Sequence, residues 1–217
     1  RDRLEVKEGK SEQLSMEKYR IYLQMGDKEK AFTEMENLSK EYPNDLRYRV
    51  MLGDSYLDNG RADEAYAIFQ EALAADPENA QAQLSLAAYY ERMGMDSLFY
   101  AQQEAVLMNR KLDSGVKVEV MRRIILQNEQ AGGDSTRVFQ LFTRLLNAPQ
   151  EDAAMATLCY SYMQHKQMDD SMAVPVLEKI LEVEPDNIAA RYSLLMVAVR
   201  KNDYEEAVRI CEPAIQY

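Results

Sequence analysis

The sequence predicts an all-α chain assembled from antiparallel helix pairs, and three observations lead there. First, several position classes recur every 34 residues: Tyr22, Tyr56 and Tyr90; Gly26, Gly60 and Gly94; Ala31 and Ala65, with Phe99 in the next slot; Pro43 and Pro77. A fixed period of that length marks a repeat architecture whose units bury their apolar faces only against their neighbours. Second, Ala, Leu, Met, Glu and Gln, all good helix formers, dominate long stretches. Third, eight Gly and six Pro among 217 residues are too few for a loop-rich β sandwich.

The elements follow in order. In the 34-residue frame, Arg1 to Gly9 is the tail of a preceding second helix, with Leu4 in its late core slot. The first full unit, near Glu12 to Asn44, keeps Tyr22, Gly26, Ala31 and Pro43, with Met35 in an aromatic slot. The second explains what a unit does. Leu52, Tyr56 and Leu57 share one face of a helix from about Asp45 to Asp58, and Asn59-Gly60 ends it, Gly tolerating the left-handed conformation of a helix end. Ala65, Phe69, Ala72 and Leu73 then lie at helical spacing until Asp76-Pro77 stops the second helix. Small residues (Gly53, Ala65, Ala72) stand where two backbones come close.

The third unit, near Ala80 to Asp113, keeps Leu86, Ala87, Tyr90 and Gly94 but lacks the closing proline. In the fourth, Val118 to Gln130 reads as a helix preceded by an insertion, Ser114 to Lys117. Gly132-Gly133 reads as a turn, and Asp134 as the N-cap of a helix from Ser135 to Asn147. The fifth returns with Leu158, Cys159 and Tyr162, then Ala173, Leu177, Ile180 and Pro185 after a longer turn; the sixth carries Leu194, Ala207 and Ala214. The chain stops before this unit's closing turn, and arrays of this kind usually end in a polar capping helix. The expectation is a piece of a longer array whose uncapped ends support self-association.

Leu52-Gly53-x-x-Tyr56, Gly60, Ala65, Phe69, Ala72 and Pro77 together resemble the tetratricopeptide repeat consensus; the early aromatic position alone departs, holding Arg49. The resemblance implies a right-handed α-solenoid of about six repeats over residues 1–217, at 12–45, 46–79, 80–113, 118–151, 152–187 and 188–217. It further implies a non-catalytic scaffold that holds a peptide or protein segment against the first helices, which line the inner, concave surface. The family's inward positions fall on Arg47, Val50, Asp54, Leu57 and Asp58, then on Gln81, Leu84, Ala88, Glu91 and Arg92, and later on Ala156, Tyr160, Met163, Tyr192, Met196 and Val199. The first half of such a groove is mixed and acidic, the second apolar with two tyrosines. One subclass grips a chaperone's terminal carboxylate with inward Lys and Asn; Asp54 at such a position repels a carboxylate. A basic or amphipathic peptide fits the groove better. The style resembles long bacterial arrays, many of them exported, which implies the periplasmic side of the cell envelope ahead of the cytoplasm. Two alternatives stand beside the scaffold: an accessory segment of a larger enzyme or regulator, and a self-associating structural element.

Charge and composition narrow the function classes. A formal net charge of −11 repels phosphate backbones, and the nearest basic clusters, Arg47/Arg49 and Arg122/Arg123, sit among carboxylates. Nucleic acid is therefore not an expected partner. No run of ~18 apolar residues exists to insert into a membrane. No catalytic constellation, cofactor motif or metal-ligand spacing appears. His165, the single histidine, lies in the polar run Gln164 to Gln167 and lacks the positioned partner that acid-base work needs. Gly132-Gly133 lacks the Lys-Ser/Thr of a phosphate loop. Cys159 and Cys211 occupy packing slots, where a free thiol behaves as a small hydrophobe, and no disulfide joins them. The 13 Met residues lie mostly on or beside apolar stripes, where packing is their first use and adaptable binding a second.

Overall fold

A computed structural model describes residues 12–212; the expectations for Arg1–Gly9 and Ala214 lie outside the described residues. Those described form twelve α-helices and one 3₁₀ turn, with no strand among them. They divide into two compact units, the first ending at Lys111 and the second beginning at Leu112.

The first unit holds α1 (Glu12–Gln24), α2 (Lys28–Glu41), α3 (Leu46–Asp58), α4 (Ala62–Ala75), α5 (Ala80–Arg92) and α6 (Asp96–Met108). The second holds α7 (Ser114–Gln130), α8 (Ser135–Leu146), α9 (Ala154–His165), the 3₁₀ turn Asp170–Ala173, α10 (Val174–Val183), α11 (Ile188–Arg200) and α12 (Tyr204–Cys211). Short polar side chains fix the starts. Asp27, Asp45, Asn79, Asp113, Asp134, Asn187 and Asp203 each accept a backbone N–H of the first turn, satisfying one of the donors a helix leaves orphaned.

All six helix pairs turn by one device. The residue at the bend is left-handed: Gly26, Gly60, Gly94 and Gly132 at φ 63–76°, then Gln167 at 53° and Asn202 at 57°. The next residue donates its N–H five positions back, as Arg61 does to Tyr56 at 2.9 Å and Asp203 to Ala198 at 3.0 Å, the closure of a Schellman motif. Between Gly94 and Gly132 the spacing widens by four residues, and α7 accounts for it. The expected insertion Ser114–Lys117 is the first turn of that helix, which runs 17 residues where α5 runs 13. Four residues make about one turn at 3.6 per turn, so the apolar face of α7 keeps its register.

Cores lie between the pairs. Around Phe69, fully buried on α4, gather Val50 and Leu57 of α3 with Ala82 and Leu86 of α5. A Cβ built on Gly53 would stand 2.6 Å from Phe69 Cε1 and 3.1 Å from Ile68 Cγ2; the ring occupies the room that the missing side chain leaves. In the second unit Met121, Val138, Leu141, Phe142 and Leu177 are as deeply buried. Polar staples join successive pairs. Arg92 donates to the Leu57 carbonyl at 2.7 Å and to Asp58 at 3.0 Å, capping the end of α3 from α5. In the second unit Tyr162 donates to Glu129 Oε1 at 2.7 Å and Lys166 to Glu129 Oε2 at 2.5 Å, tying α9 to the end of α7.

Candidate protein-binding faces

On the first unit, the first helices α3 and α5 carry the residues assigned inward. The structure divides them. Val50 and Leu57 are core, and Leu84 is half-buried. Arg47 is exposed on the first turn of α3, its guanidinium held by Asp45 at 2.6 Å and within 3.7 Å of Glu12. Asp58 and Arg92 face each other at 3.0 Å in an exposed ion pair, and Glu91 is exposed beside them. Asp54 is half-buried between α3 and α5. Burial pushes its carboxyl above the usual range, against hydrogen bonds from Ser85 and Gln81, and the nearby Asp58 charge pushes the same way. Burial also raises the Tyr19 phenol, opposed by its hydrogen bond with Ser55 and reinforced by Asp54 and Asp58. Arg47, Asp58 and Arg92 thus largely neutralise charge within the face.

The second unit differs. Tyr160 on α9 and Tyr192 and Met196 on α11 line one depression of about 330 Å³. Tyr192 is 60% exposed; Tyr160 and Met196 are half-buried. The Tyr160 hydroxyl accepts from Gln164 Nε2 at 2.8 Å. Arg200 and Asp170, an ion pair, also line it; neither falls on a repeat position, although Ala173 in the same 3₁₀ turn does. Val199 is exposed on the same helix. Met163 lies apart from these residues. It is 6% exposed and lines a different cleft with Cys159, against α8 and α10. The two lie four residues apart and hence on one helical face, which turns into the unit. Ala156 is likewise fully buried.

Other groups with chemical potential are placed for packing or solvent. Burial pushes the Cys159 thiol up to about 12, far from the thiolate that a nucleophile or metal ligand needs. His165 is exposed as the last residue of α9. Among the described residues, no group of three His, Cys, Asp or Glu side chains could hold a metal ion, and no helix is long and apolar enough to cross a membrane.

The tetratricopeptide repeat family model matches residues 19–80 and 50–94. No curated protein sequence matches the chain. Solved structures similar to it include PilF of Pseudomonas aeruginosa, at 15% identity and a TM-score of 0.49, over 91% of this chain and 87% of that one. A tetratricopeptide repeat protein from Parabacteroides merdae shares 13% identity at a TM-score of 0.47, over 94% and 78%. YrrB, described as a tetratricopeptide repeat protein with an unusual peptide-binding site, shares 16% at 0.42, over 84% and 91%.

Proposed function

We propose that the chain, whose residues 19–94 match the tetratricopeptide repeat family model, is a scaffold for protein–protein interaction, and that its second unit seats a peptide segment of a partner in the depression between α9 and α11. One observation carries the reading: two tyrosines and a methionine from successive first helices converge on one open space, with a charged pair in its lining. A volume of about 330 Å³ holds one large side chain with room for its backbone. Aromatic residues that offer area at little entropic cost are the usual anchors of such contacts. The peptide supplies an aromatic or branched apolar side chain between Tyr160 and Tyr192, and a polar group toward Arg200 and Asp170. In the first unit Arg47, Asp54, Asp58, Glu91 and Arg92 form a polar rim rather than an anchor, because their charges are largely met within the face. The same reading divides the chain into repeats at 12–45, 46–79, 80–113, 118–151, 152–187 and 188–217, supported by the recurrent helix pair and its left-handed bend.

The test is selection of linear peptides from an unbiased displayed library against the full chain. Enriched peptides share an aromatic or aliphatic anchor and bind Tyr192→Ser and Met196→Ser at least tenfold more weakly. Equal binding to parent and to the double variant refutes the assignment.

A further inference from the structure

A second cleft, of about 820 Å³, lies in the second unit between α8, α9 and α10. It shares no lining residue with the Tyr160–Tyr192 depression. Buried Phe142, Leu146, Cys159 and Met163 form its floor. One wall is a polar stripe of α8, Thr136, Gln140, Thr143 and Asn147, whose spacings of four, three and four keep them in line along the helix. All four are exposed. The other wall is apolar: Met172, 55% exposed on the 3₁₀ turn, then Pro175 and Val176 at the start of α10. Although the chain has 37 carboxylates, none lines this cleft, whereas Arg144 and Lys179 do.

We infer that this cleft is a docking groove for an amphipathic helix of a partner protein, with apolar side chains on the floor and carboxylates along the flank that meets Arg144 and Lys179. Three features select that occupant. The α8 wall from Thr136 to Asn147 runs about 16 Å at 1.5 Å per residue, the length of three helical turns. The rim is exposed along that length. A small amphiphile would stay partly in water along the exposed rim, although small-molecule sites bury roughly 70–90% of their ligand; a helix turns its polar face outward and leaves no apolar surface wet. The charge of the lining is opposite to that of the rest of the chain, so it favours an acidic flank and disfavours a basic one. Lys179 is paired with Glu182 at 2.7 Å, an i,i+3 surface pair that exchanges partners at little cost. Met163, Met168 and Met172 give the groove side chains that repack around different apolar stripes.

The experiment uses the full chain and a displayed library of 14-residue helices with Leu at i, i+3, i+4 and i+7 and randomised flanks. The expected winners carry Asp or Glu on one flank. Met172→Asp weakens their binding at least tenfold, Arg144→Glu with Lys179→Glu does the same, and Tyr192→Ser leaves it unchanged. Met172 and both cations lie at the rim, so these variants keep the parent's far-ultraviolet circular dichroism. A library without winners, winners with basic flanks, or binding indifferent to Met172→Asp overturns the inference. Saturable binding of dodecanoate, lost in Met172→Asp while no helix is selected, overturns it in favour of a small anionic amphiphile. Loss of helix binding in Tyr192→Ser places the helix in the Tyr160–Tyr192 depression and also overturns it.

Discussion

Gly53→Ala separates two roles that a glycine can have in a helix. In the middle of α3 Ala is the better helix former by about 0.8–1.0 kcal/mol, so propensity alone has the substitution stabilise the protein. The added methyl, however, would stand 2.6 Å from Phe69 Cε1, with a second contact at 3.1 Å to Ile68 Cγ2. Phe69 is fully buried, and forcing a methyl into a filled core costs ~1–3 kcal/mol. The balance is a loss of about 1 kcal/mol. With a denaturant slope of ~2–3 kcal/mol/M, that is a fall of ~0.3–0.5 M in the urea midpoint, read by circular dichroism at 222 nm. In a Phe69→Leu background the ring edge is gone and the sign reverses: Gly53→Ala then stabilises by most of its ~0.8–1.0 kcal/mol propensity gain. The two substitutions therefore couple by about 2 kcal/mol, within the range for residues in contact. A stabilising Gly53→Ala in the parent, or additivity within ~0.5 kcal/mol, refutes the close approach of α3 and α4 as the reason for the glycine.

Two further outcomes follow from burial. Asp54→Asn raises stability at neutral pH: the folded protein holds this carboxyl above its ordinary range, so ionisation disfavours the folded state above the folded pKa. That cost fades as the pH falls toward ~3.9, where the unfolded group protonates too; urea midpoints of parent and variant across that span should converge, and a constant offset refutes the assignment. For the thiols, iodoacetamide at pH 8 with peptide mapping should modify half-buried Cys211 in the folded chain and reach Cys159 only after denaturation. With its thiol pushed up to about 12, Cys159 is ionised at pH 8 to roughly one part in 10⁴, and equal labelling of the two refutes its burial.

How much of this was legible in the sequence varied with the kind of signal. The helix pairs of the first unit could be read directly, because Gly26, Gly60 and Gly94 mark the bend with the residue that adopts it most readily. In the second unit Gln167 and Asn202 take the same left-handed bend; Asn visits that conformation more readily than most side chains, whereas Gln gives no such signal. The break in period before α7 was visible, but its form was not. An added run of four residues reads as a loop, whereas one added helical turn uses the same four residues and preserves the buried face of Val118, Met121 and Ile124. Of the groove residues, Tyr192 and Met196 could be placed because α11 carries the repeat spacing cleanly. Arg200 and Asp170 could not, since their meeting depends on the path of a 3₁₀ turn.

Met163 exposes a deeper limit of periodic reading. Period and register name the face to which a slot belongs, but not how completely the neighbouring elements fill the space over it. Cys159 and Met163 are as buried as core residues, at 3% and 6% exposure, yet they are also the floor of a cleft of about 820 Å³. Burial by itself therefore does not distinguish a filled interior from a groove with a well-packed base. The distinction lies in the elements above: α8 contributes a polar, exposed stripe where a fully packed pair would carry apolar side chains, and the 3₁₀ turn supplies exposed Met172 as the opposite edge. The two proposed sites consequently diverge from a single helix. Adjacent residues of α9 point about 100° apart, so Tyr160 faces one site while Cys159 faces the other. Substitution at either rim can therefore test one site while leaving the other lining intact.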